Sequence, residues 1–68
     1  MNVNLLKGKM REKALTQEAV AAEIGISLSR FNAKLNERGR AEFTLGEVQV
    51  LRRILNLTAK QVEQIFFA

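Results

Sequence analysis

The chain has 68 residues, a formal net charge of +4, and no cysteine, histidine or proline. A chain of this length is one small domain (1–68) that buries roughly 60% of its unfolded surface, so its core supplies only marginal stability. The composition excludes disulfides and the usual zinc, iron and copper ligands. It also lacks Asp and Tyr, which leaves a hydrolase only Ser, Lys and Glu to work with.

None of the seven glutamates sits in a recognisable carboxylate pair. The chain is therefore read as a non-enzyme that needs no metal and no cofactor. No apolar run approaches the ~20 residues of a membrane span. The N-terminus lacks the apolar core of a signal peptide, so a cytoplasmic location is the default expectation. The charge is uneven: residues 1–40 hold eight Lys/Arg and four Glu, whereas residues 41–68 hold three of each. A basic half suggests a polyanion partner, the alternative being a solubilising charge bias.

Apolar residues recur at spacings of three and four throughout, and nowhere alternate over a strand's length. The chain is expected to be all-α. Asn2 or Asn4 can cap a first helix that runs through Lys13, with Leu6 and Met10 on one face. Gly8 weakens that helix by ~1 kcal/mol relative to Ala. Lys7, Lys9, Arg11 and Lys13 alternate along it and cannot all share one face. They read as surface charges, with Lys9 the best placed for a contact. Thr16 caps a second helix that buries Val20, Ala21 and Ile24. Gly25 follows where a left-handed residue is needed.

Ser27 caps a third helix anchored by Phe31 and Leu35, an i,i+4 pair. "NERGRAEF" is a loop around Gly39. "TLGE" and "TAKQ" each place Thr three before Glu or Gln, the capping-box spacing. They open a fourth helix striped by Val48, Leu51, Ile54 and Leu55, and a fifth striped by Val62, Ile65 and Phe66. Asn56 is the expected left-handed stop between them.

Two short helices joined at a glycine, about residues 16–36, match the helix-turn-helix unit. Its small crossing residue is Ala21 and its turn glycine is Gly25. Val20, Ile24, Ile26 and Phe31 lock the angle. "LTQEAVAAEIGISLSRFNAKLN" resembles the DNA-binding motif of the phage Cro/C1-type repressors, the XRE-like family. The tail "EFTLGEVQVLRRILNLTAKQVEQIFF" is similar to small regulators of phages and prophages of Gram-positive bacteria.

The resemblance implies a compact five-helix bundle, a lambda-repressor-like DNA-binding domain. It also implies a homodimer that binds double-stranded operator DNA as paired half-sites. Two departures stand out. Relatives often end the first helix with Gly where this chain has Ala14, and an alanine held left-handed costs ~1 kcal/mol. Relatives also often close the third helix with an apolar residue and Glu, where Lys34 and Leu35 stand here.

In that geometry the third helix enters the major groove and must be free of negative charge. The second helix keeps Glu18 and Glu23 toward water. With Phe31 and Leu35 inward, Ser29, Ala33 and Asn36 point outward, flanked by Asn32 and Arg30. Asn32 suits adenine, Arg30 guanine and Ala33 a thymine methyl, while Leu28 either packs or meets a thymine methyl. Gln17 matches the family position that holds a phosphate. Ser27, Lys34, Asn36, Arg38 and Arg40 are further phosphate candidates.

Consecutive Phe66 and Phe67 cannot both face inward on a helix, so the second is half exposed or buried in a partner. They are the expected dimer seam. The resulting expectation is a Cro-like transcriptional repressor, with a second phage regulator as a further partner. The alternatives are a protein-binding helix-turn-helix module, such as an antirepressor, or an antitoxin.

Overall fold

The computed structural model describes residues 1–67, and these are helical with no strand among them. Helix α1 spans Val3–Glu12, α2 Gln17–Ile24, α3 Leu28–Leu35, α4 Leu45–Ile54 and α5 Ala59–Val62. A 3-10 turn, Arg38–Arg40, precedes α4. The last helix widens into a π-helical turn over Glu63–Phe67.

Each α-helix begins on a side chain that occupies a free backbone N–H. Asn2 caps α1, Thr16 caps α2 and Ser27 caps α3. Both reciprocal boxes form. Thr44 Oγ1 accepts from the Glu47 N–H at 3.2 Å, and Glu47 returns the bond to the Thr44 N–H at 2.8 Å. Thr58 and Gln61 do the same at 3.1 and 2.9 Å.

Three of the helices end in one way. The left-handed residue is Ala14 (φ 54°), Gly25 (φ 88°) or Asn56 (φ 52°). Its N–H bonds three residues back, to Arg11, Ala22 or Arg53. The next N–H bonds five back, from Leu15 to Met10, Ile26 to Ala21 and Leu57 to Arg52. This doublet satisfies carbonyls that the helix leaves orphaned, and an apolar residue after the turn packs over the end. Only one of the three positions is glycine. Ala14 adopts the left-handed conformation expected at the end of α1, at the expense of backbone strain.

The core gathers Leu6, Val20, Phe31, Leu35, Leu51, Leu55 and Ile65, all essentially excluded from solvent. Leu57 also joins it, although it lies in the connection after α4. Helix α2 packs on both α3 and α4, while α1 packs on the C-terminal turn. The Asn2 N–H donates to the Ile65 carbonyl at 2.7 Å, tying the two ends of the described chain together. Ile24, expected in the core, is only half-buried. Helix α1 stops at Glu12, with Lys13 as its cap. No helix among the described residues is long and apolar enough to cross a membrane.

Candidate nucleic-acid interface

Helix α3 divides cleanly. Phe31 and Leu35 are buried, and Phe31 stacks at a tilt on Phe43 with centroids 5.6 Å apart. Leu28, Ser29, Arg30 and Asn36 are exposed, while Asn32 and Ala33 are half-buried. Periodicity leaves Leu28 open between packing and exposure; at 44% exposed it belongs to the outer surface. The outer row is thus Leu28, Ser29, Arg30 and Asn36, with Asn32 and Ala33 set back from it. No acid lies in α3.

Asn32 is held from both sides. Its Nδ2 donates to Gln17 Oε1 at 3.2 Å, across to the first turn of α2. Its Oδ1 accepts from Asn36 Nδ2 at 2.7 Å. Gln17, a phosphate-holding candidate, therefore also braces the base-reading candidate. Asn36 commits its amide to Asn32 rather than leaving it free toward solvent. Ser27 Oγ accepts the Arg30 N–H at 3.1 Å, so only its hydroxyl proton remains available to an anion.

Lys34 departs from its expected role. It is buried to 9% exposure, and its Nζ lies 2.6 and 2.7 Å from the two carboxylate oxygens of Glu47. Its charge is spent on α4, so it is removed from the phosphate set. Burial by itself would raise the Glu47 pKa. Hydrogen bonds from Lys34 and Thr44, and the ammonium's charge, outweigh burial and hold the carboxyl below its ordinary value. The sequence signal for Glu47 is the capping box, which gives no hint of the second partner.

Arg38 and Arg40 lie exposed in the turn after α3, where Glu37, Gly39 and Arg40 all have positive φ. Neither arginine, nor Arg30, has an ion-pair partner among the described residues. Glu37, which follows the Asn36 cap of α3, lies 3.3 Å from the Met1 amino group. On α1, Lys9 is the best-placed contact by sequence, but it pairs with Glu12 at 3.2 Å. Lys7 and Arg11 instead line an open cleft of about 360 Å³ together with Thr16 and Gln17. Their i,i+4 spacing is legible in the sequence and places both on one helical face.

Phe66 is half-buried and meets Phe43 edge-on at 6.2 Å, whereas Phe67 is 68% exposed. Beside them is a second hollow, of about 310 Å³, whose apolar wall includes Phe43 and Val48. Among the described residues no cluster of three or more His, Cys, Asp or Glu could hold a metal ion. Compared with protein-family models, with curated proteins and with solved structures, the chain matches none.

Proposed function

We propose that the chain is a sequence-specific, double-stranded DNA-binding transcriptional regulator of the Cro-like, XRE-type kind. In this reading α2 and α3 form a helix-turn-helix, and α3 lies in the major groove. The observation that carries the reading is the outer face of α3: Leu28, Ser29 and Asn36 exposed beside Arg30, with Asn32 and Ala33 set just behind, no acid, and Arg38 and Arg40 just beyond. A groove-entering helix needs small residues for close approach, directional groups for base edges and cations for phosphates.

Leu28, Ser29, Arg30, Asn32 and Ala33 read bases. Asn32 is set for adenine and Arg30 for guanine, with Leu28 and Ala33 against thymine methyls. Gln17, Ser27, Arg38 and Arg40 hold phosphates, and Lys7 and Arg11 flank Gln17 on the same side. The regulator acts as a phage or prophage repressor. It dimerises through Phe66 and Phe67 so that two copies of α3 meet two half-sites. Control then comes from its synthesis or from competition with a second regulator.

The test is selection of duplexes from a random pool, followed by binding of the winner and of scrambled DNA across a salt series. The reading requires a palindromic winner bound at least ~10³-fold more tightly than scrambled DNA. Weak binding with no enriched sequence defeats it. One observation favours a second reading, a protein-binding module such as an antirepressor: Phe67 stands exposed at a hollow that Phe43, Val48 and Phe66 line together with Glu37 and Glu42. An antitoxin role would use the same DNA face.

A further inference from the structure

We propose that Asn36 is a positioning residue: it sets the polarity of a three-amide chain and thereby makes Asn32 discriminate adenine from guanine. The proposal rests on the DNA-reading assignment above and assigns Asn36 a role other than phosphate binding.

Asn36 Nδ2 donates to two oxygens of Asn32, the main-chain carbonyl at 3.0 Å and Oδ1 at 2.7 Å. Asn32 Nδ2 in turn donates to Gln17 Oε1 at 3.2 Å. A side-chain amide is nearly symmetric in shape, with donors at one end and an acceptor at the other. Gln17 and Asn32 alone can pair in either sense, because turning both amides over gives an equivalent bond.

A main-chain carbonyl has no such freedom, since it only accepts. Asn36 must turn its NH₂ toward that carbonyl. The Asn32 atom beside the same NH₂ must then be its oxygen, and the NH₂ of Asn32 is left facing Gln17. One acceptor-only group of the backbone thus dictates the sense of all three amides.

The base preference follows from what remains. After its internal bonds Asn32 retains one free N–H and one free lone pair on Oδ1. Adenine offers an acceptor (N7) and a donor (N6–H₂) in the major groove, whereas guanine offers two acceptors (N7 and O6). The remaining pair on Asn32 complements adenine and sets oxygen against oxygen at guanine. An Asn32 amide released from the chain regains its second N–H and tolerates guanine. Asn36 therefore acts on selectivity without touching the base.

The first measurement uses the free 68-residue chain. Side-chain NH₂ signals of Asn32 should show contacts to Gln17 in nuclear Overhauser spectra. They should also exchange more slowly than those of exposed Asn4, and Asn36→Ala, which leaves Gln17 and Asn32 free to pair in either sense, should narrow the difference. An Asn32 NH₂ that exchanges as fast as that of Asn4 in the unmodified protein overturns the inference without any DNA.

The second measurement compares the selected duplex with one carrying guanine in place of the adenine that Asn32→Ala identifies. Expressing each variant's affinities as a ratio cancels uniform weakening. Asn36→Ala should lower the adenine-to-guanine ratio roughly tenfold while the salt slope is unchanged. Asn36→Asp, which cannot donate to the carbonyl, should draw the Asn32 NH₂ to itself and lower the ratio as well. Unchanged ratios in both variants overturn the inference and leave the DNA reading standing. An unchanged ratio with a shallower salt slope overturns it in favour of a phosphate contact. An unmodified protein without sequence preference removes both.

Discussion

Lys34 of α3 and Glu47 of α4 form a two-pronged ion pair at 2.6 and 2.7 Å, and the same carboxylate closes the capping box on Thr44. One acid therefore starts α4, neutralises the only buried cation of α3, and ties the two helices together. Glu47→Gln isolates the ionic part, because glutamine retains the capping geometry. It should cost about 1–2 kcal/mol at neutral pH, measured as a shift in the urea midpoint.

The same pair sets an acid dependence. The folded carboxyl titrates below its ordinary value of 4.5, so its stabilisation is fully present above that pH. It is lost as pH falls from 4.5 through the lowered folded value. Urea midpoints taken across the acid range, from neutral pH to below that folded value, should fall less steeply for Glu47→Gln than for the unmodified chain. Parallel curves for the two proteins would exclude Glu47 as the acid-sensitive group.

Two backbone positions are strained or under-used, and both are improvable. Gly8 lies inside α1, and a Cβ added there would meet no heavy atom within 4 Å. Gly8→Ala should add about 1 kcal/mol by helix propensity. Ala14 is left-handed at φ 54°, so Ala14→Gly should relieve about 0.5–1 kcal/mol net of the extra unfolded-state entropy. Each kcal/mol corresponds to about 4–8 °C in Tm for a domain of this size. Loss of stability in either variant would contradict the backbone account.

The DNA reading separates its residues by phenotype. Arg38→Ala should weaken binding to every duplex alike and make the salt slope shallower by about one. Asn32→Ala should relax preference at one base position at a cost of about 1–3 kcal/mol. A uniform loss on Asn32→Ala would exclude it from base reading. Lys34→Met, by contrast, removes a charge that already faces Glu47 and should leave the salt slope unchanged.

Phe67 carries the dimer prediction. Phe67→Glu should move sedimentation toward monomer without loss of helical signal, since the side chain contributes little to the core at 68% exposure. A mass that is independent of concentration and unaffected by the substitution would place any self-association on another surface.

Much of this architecture follows from local rules written along the chain. Thr16, Ser27, Thr44 and Thr58 announce where helices begin, because a hydroxyl in that position satisfies an N–H only a few residues away. Gly25 and Asn56 announce stops for an equally local reason, and the spacing of Phe31, Leu35, Val48 and Leu51 identifies which faces turn inward. The outward turn of Ser29 and Arg30 follows from the same periodicity. What needed the tertiary structure was every partnership between distant residues. Lys34 reads as a free cation on a reading helix until Glu47, thirteen residues on, takes its charge. Asn32 reads as a free base-reading amide until its NH₂ is found bonded to Gln17, fifteen residues back at the start of another helix. Leu57 sits in a connection yet is buried, because the helix stop beside it folds it over the core. Capping and periodicity act within a few residues and are legible in one dimension. The partner that satisfies a long polar side chain depends on which helix packs beside it, and that is decided only when the core closes.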